Sequence, residues 1–190
     1  MAFIMSSVKK YILTAVTLGL IAASGALLIA GANMVTKKPI EENEAKTINK
    51  GLASIFGDAA VGKETDLIKD QKIDYITTSY LVGEDNGQFY GYAFRTDGYN
   101  DYGKISLIIG FNEQCVYKGL SIIANEQSFA TDLKKNYISK IKNGDEIETI
   151  DDVSVSCGAT YGAKLVRSMV EKAHDAAVAL DGFVKVAQNG

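Results

Sequence analysis

The chain has 190 residues, 47% of them hydrophobic, and a formal net charge of −3. That length suits one domain of ordinary size with an appendage. The slight acidity excludes a general nucleic-acid binder, which would present a basic face; Lys134, Lys135, Lys140 and Lys142 read instead as the solvated side of a helix.

The first element is apolar. Tyr11 to Ala32, "YILTAVTLGLIAASGALLIAGA", carries no charged side chain. A helix of that length crosses the roughly 30 Å hydrocarbon core of a bilayer. A signal peptide is the competing reading, with Lys9 and Lys10 as its basic start and Ala30-Gly31-Ala32 as its cleavage site. The block is longer than a secretory apolar region, which favours a retained helix. Lys9 and Lys10 before the span nearly balance Lys37 and Lys38 after it, and the acidic run Glu41, Glu42, Glu44 tips the orientation towards a cytoplasmic N-terminus. Ala15, Gly19 and Ala23 recur at four-residue spacing, as do Ala22, Ala26 and Ala30. Such a face lets another membrane helix approach closely, although small residues are also simply common in membrane helices.

Beyond the span, Ala45, Ile48, Leu52, Ile55 and Phe56 predict a short amphipathic helix over 41–56 that Gly57 stops. Four strands are then predicted at Ile73–Val82, Phe89–Arg95, Lys104–Phe111 and Val116–Ala124, with hairpin loops at "GEDNG" (83–87) and "FNEQ" (111–114). A helix over Ser128–Lys142 carries the stripe Phe129, Leu133, Tyr137 and Ile141. "KNGDE" ends it, a strand follows at Ile147–Val155, and a closing helix runs from Tyr161 to Leu180. The expected class is α+β, an N-terminal transmembrane helix followed by an antiparallel sheet with flanking helices. The boundaries read as 1–10 cytoplasmic, 11–32 transmembrane, 33–70 juxtamembrane helix and connector, and 71–190 the exported domain.

The chemistry-bearing side chains are few. Two cysteines, Cys115 and Cys157, and one histidine, His174, do not make a tetrahedral zinc site, so no metal is expected. The thiols fit either an inert buried pair or one disulfide in an oxidising compartment. His174 sits on a late helix as a surface histidine, and no Ser-His-acid arrangement, Walker motif or Rossmann glycine pattern is present, so no catalytic residue is expected. One junction stands out, "DDVSVSCGATYGAK" at 151–164, where a strand gives way to a helix. The first N–H groups of a helix attract anions, phosphates above all. Gly158 and Ala159 let a ligand come near the backbone, Thr160 offers a hydroxyl, and Lys164 lies one turn on. On physics alone an ordinary turn, with Thr160 as N-cap and nothing bound, remains open.

From end to end the chain resembles the FMN-binding domain family, specifically the RnfG-type subunit of the Rnf electron-transport complex. The related FMN-binding-domain subunit of the sodium-translocating NADH:quinone oxidoreductase belongs to the same family. The resemblance rests on "AGANMVTKKPI" after the span, "ASIFGDA", the strand pair "GYNDYGKISLIIGF", "SIIANEQ" and "CGATYGAK". It implies an extracytoplasmic FMN-binding domain on a membrane anchor. A flavin transferase would attach FMN to Thr160 through a phosphoester, with Cys157, Gly158, Ala159, Lys164 and Glu126 around the cofactor. The implied role is electron relay among the membrane subunits of an Rnf-like ion-translocating complex. Cys157 stands where the family has serine or threonine, and Ser154 where it has aspartate, with Asp151 and Asp152 just upstream. The family's glycine-rich loop is shortened here to Glu126, Gln127, Ser128 and Phe129. Two further functions are compatible with the same residues, a standalone exported FMN-binding redox protein and a cofactor-free interaction protein.

Overall fold

The computed structural model describes residues 2–141 and 159–189. They fall into two compact units, Met1–Ala45 and Lys46–Gly190. The expected strand at Ile147–Val155, together with Cys157 and Gly158, lies outside the described residues.

Helix α1 runs from Ala2 to Phe56, so the apolar span and the amphipathic stretch expected as separate helices belong to one element, with Pro39 inside it. Within α1, Leu13–Met34 is long and apolar enough to cross a membrane, which fits a single-pass membrane protein. Gly57 ends the helix as expected: it takes φ +110°, and its N–H donates to the Ala53 carbonyl at 2.9 Å.

The second unit is built on a five-stranded antiparallel meander in chain order. The strands are β1 (Val61–Thr65), β2 (Ile76–Gly83), β3 (Phe89–Asn100), β4 (Gly103–Asn112) and β5 (Tyr117–Asn125). Helix α2 (Ala130–Asn136), a 3-10 turn at Ile138–Lys140 and helix α3 (Thr160–Asn189) follow. The α+β class and the antiparallel sheet agree with the sequence reading.

β4 shows why the sheet is covered on both faces. Alternate residues of a strand point to opposite sides. Ile105, Leu107, Ile109 and Phe111 enter one core with Tyr92 and Phe94 of β3 and with Ala163, Val166, Met169, Val170, Ala173, Ala177 and Leu180 of α3. Ile108 enters a second core with Leu52, Ile55 and Phe56 of α1, Tyr80, Val82 and Ala93. A strand buried on both faces reads as a nearly continuous apolar run, here "ISLIIGF". Gly110 admits the α1 end: a Cβ there would stand 2.7 Å from Ile55 Cγ2 and 2.8 Å from Phe56 Cε2.

Three differences from the sequence reading have local causes. β1, "VGKET", is an exposed edge strand without apolar alternation, and so gives no strand signal. β3 continues through "TDG", a turn-like triplet, to Asn100. Gly98 is needed there because a Cβ would meet Met169 Sδ at 2.7 Å and Leu165 Cδ1 at 2.9 Å. The helix expected over Ser128–Lys142 is interrupted at Tyr137 (φ −125°, ψ −68°). Leu133, Tyr137 and Ile141 are buried as the stripe predicts, whereas Phe129 remains 43% exposed. His174 is half-buried and not on the open surface, its ring 5.8 Å from that of Phe111.

Candidate functional site

The start of α3 differs in one respect from an ordinary capped helix. The Ala163 N–H donates to the Ala159 carbonyl at 2.9 Å, which makes Ala159 the N-cap and Thr160 the first helical residue. The N-cap role open to Thr160 in the sequence therefore falls to Ala159, whose side chain has no oxygen to offer the first N–H groups. Ala159 is buried and Thr160 exposed. The sequence supplies the reason: Ala159, Ala163 and Val166 turn into the core, leaving Thr160, Tyr161 and Lys164 on the outer side.

Other segments meet this helix start. A small cleft is lined by Tyr102 from the β3–β4 turn, Gln127 and Phe129 from the loop after β5, Leu133 of α2, and Ala159, Tyr161 and Gly162. The Tyr102 and Tyr161 rings are stacked, with centroids 5.4 Å apart and planes 29° from parallel. Phe129 tilts against Tyr102 at 6.2 Å. Lys164 Nζ lies 6.0 Å from the Tyr161 ring centroid, within cation–π range.

Backbone hydrogen bonds hold the loop in place. The Glu126 N–H donates to the Lys104 carbonyl, and the Ser128 N–H to the Tyr102 carbonyl, each at 2.8 Å. Gln127 is buried, and its side-chain amide donates to the Gly103 carbonyl. Close by, Lys104 Nζ and Asp97 Oδ2 form an ion pair at 3.1 Å. Burial pushes the Asp97 carboxyl up, but hydrogen bonds from Ser106 and Lys104, with the Lys104 and Arg95 charges, outweigh it and hold the group below its ordinary value. The hydrogen bond to Asp97 raises Lys104.

Of the sequence-derived site residues, the structure places Ala159, Thr160 and Lys164 together at the first turn of α3. Glu126 is exposed at the end of β5, and its neighbours Gln127 and Phe129 line the cleft in its stead. Cys157 and Gly158 lie outside the described residues. Tyr102 is not marked by the sequence as a site residue; nothing in a lone tyrosine of a polar turn signals it, and only the β3–β4 register brings it to α3, whereas Gln127 belongs to the shortened loop 126–129 that the resemblance named. Among the described residues no group of His, Cys, Asp and Glu side chains could hold a metal ion. Cys115 is a buried thiol that burial and the nearby Asp181 charge push upward, with Lys185 opposing.

No curated protein matches the chain. Residues 5–55 match the family model described as the RnfG N-terminal region. The match covers the apolar span and nearly all of the rest of α1, ending ahead of β1. In its N-terminal region, the chain resembles the RnfG component of the Rnf complex.

Proposed function

We propose that the chain is a membrane-anchored flavoprotein subunit of an Rnf-like complex, carrying FMN as a phosphoester on Thr160. The match of residues 5–55 to the RnfG N-terminal region supports membership of such a complex and a role in electron transport. The observation that carries the cofactor reading is Thr160 itself, an exposed first residue of α3 behind an N-cap that cannot satisfy the helix N–H groups through its side chain.

The residues present fit the group. Amides at a helix start favour a phosphate, and the dipole adds to that preference. Lys164, exposed one turn on, would balance phosphate charge. Exposed aromatic faces at Tyr102, Phe129 and Tyr161 are suited to a flat heterocycle. In the attachment step, Thr160 Oγ would attack the flavin-side phosphorus of a flavin dinucleotide held by the transferase. The new P–O bond forms as the diphosphate P–O bond breaks; the nucleoside monophosphate leaves with that electron pair, and the hydroxyl proton passes to the transferase. Bound in this way, FMN supplies the electron chemistry, and the chain supplies position and electrostatics. The other membrane subunits of the complex would be its redox partners. Lys9 and Lys10 nearly balance Lys37 and Lys38, and the acidic run Glu41, Glu42, Glu44 after the span tips the reading towards a cytoplasmic N-terminus and an extracytoplasmic sheet domain.

Co-expression of the full chain with a flavin transferase, followed by a denaturing gel viewed under ultraviolet light, tests the attachment. A fluorescent wild-type band and a dark Thr160→Val band are expected. Fluorescence persisting in Thr160→Val would put the bond elsewhere, and a dark wild-type band would overturn the cofactor reading.

A further inference from the structure

β1 and β2 are neighbouring antiparallel strands, with Thr65 opposite Ser79. A tight hairpin would join such a pair. The chain instead leaves the ladder at Asp66 and rejoins it only at Ser79. A compact excursion whose ends lie together is an Ω-loop, a form frequently put to functional use.

The loop is held at both ends. Ile68, 4% exposed, joins the core shared with α3, and a 3-10 turn follows at Lys69–Gln71. On the return, the Tyr75 carbonyl accepts from the Asp97 N–H at 2.9 Å. Between these anchors Lys72 takes φ +46° and Tyr75 φ +66°. Left-handed backbone is unfavourable for residues with a Cβ, and most of all for a bulky one such as tyrosine. Such conformations persist only where the surroundings enforce them, and they gather at ligand clamps.

The loop encloses space that it does not fill. A cavity of about 240 Å³ lies between it and the facing ends of β1 and β2. It shares no lining residue with the cleft beside the start of α3. Ile68, Ile73 and Ile76 give it an aliphatic wall, and the buried Ser79 adds a hydroxyl. At its edge Asp66 and Lys69 satisfy each other at 3.2 Å. Glu64 and Lys72 also line it; both are exposed, and neither forms an ion pair among the described residues. The rim therefore presents one unpaired carboxylate and one unpaired ammonium over an aliphatic wall.

We infer that this cavity binds a small aliphatic zwitterion of the free amino-acid type. The ligand carboxylate pairs with Lys72, its ammonium with Glu64, and its hydrocarbon part lies against the isoleucines. An anion alone would leave Glu64 facing a like charge, and a cation alone would do the same at Lys72. The cavity is smaller than the roughly 300 Å³ at which pockets for drug-sized ligands begin, which suits a molecule of this size. Exposed ion pairs are individually weak, so both charges of the ligand count towards binding. The fixed backbone at Lys72 reduces the ordering that binding requires.

Equilibrium dialysis of the full chain in detergent against labelled leucine tests the site. The wild-type chain should retain leucine saturably. Leucinamide and isocaproate, each keeping one of the two charges, should displace it only at severalfold higher concentration than unlabelled leucine. Glu64→Gln and Lys72→Asn should each weaken leucine binding severalfold. Asparagine accepts left-handed backbone, so Lys72→Asn removes the charge and keeps the turn. Both side chains are exposed, and an unchanged thermal midpoint would verify that the variants fold. A wild-type chain that retains no leucine would overturn the site. Equal displacement by all three compounds would overturn the zwitterion, and wild-type affinity in both variants would overturn the assignment to this rim. None of these readings depends on a flavin at Thr160.

Discussion

Thr160 and Asp97 illustrate two ways a polar side chain is used in this unit. Thr160 follows an alanine N-cap, so the capping position that threonine so often fills belongs to its neighbour, and its own side chain faces outward. Asp97 is an internal brace. Its carboxylate pairs with Lys104 across the β3–β4 hairpin that carries Tyr102, with both side chains largely shielded. Burial works against its charge, and the hydrogen bonds from Ser106 and Lys104 with the nearby cations prevail, so its pKa falls below the ordinary 3.8. The sign follows by linkage: the stabilisation is fully present above the ordinary value and is lost as pH falls through the lower, folded one. Asp97→Asn should therefore cost about 1.5–3 kcal/mol near neutral pH, the range of a charge-assisted hydrogen bond. Denaturant unfolding of the detergent-solubilised chain should show that gap closing in strong acid. A gap independent of pH would mean that the carboxylate charge contributes nothing.

At the scale of elements, the sheet is held between α3 and the last turns of α1, and glycines set how near those helices come. Gly110→Ala would push a methyl group into Ile55 and Phe56, neither of which offers a flexible chain end to move aside. Overpacking of this kind costs about 1–3 kcal/mol. The midpoint of denaturant unfolding should fall with an unchanged slope; a wild-type midpoint would show that α1 does not press on β4. The same elements show what was legible beforehand. β4 and α3 declared themselves, because each buries an unbroken or helically spaced apolar set. β1 did not, since an exposed edge strand needs no apolar alternation, and "TDG" disguised the end of β3 because Gly98 answers to Met169 and Leu165 and not to a turn. The break at Tyr137 was also invisible, as its burial pattern still matches a helical stripe. For the candidate site, Thr160, Ala159 and Lys164 could be read from a short motif. Tyr102 could not, because strand register brings it to α3 from a separate part of the sequence.

On the scale of the whole molecule, the chain divides its labour between a segment able to span a membrane and a sheet unit carrying the candidate site. The proposed covalent tether would suit that division, since it would keep the cofactor on the chain without a deep pocket. One bond matters most, and the intact mass of the full chain, made with a flavin transferase, tests it most directly. The wild-type chain should exceed its amino-acid mass by one phosphoester-linked FMN, and Thr160→Val should not. A wild-type mass equal to that of the amino acids alone, or an FMN increment surviving in Thr160→Val, would contradict a flavin held at Thr160.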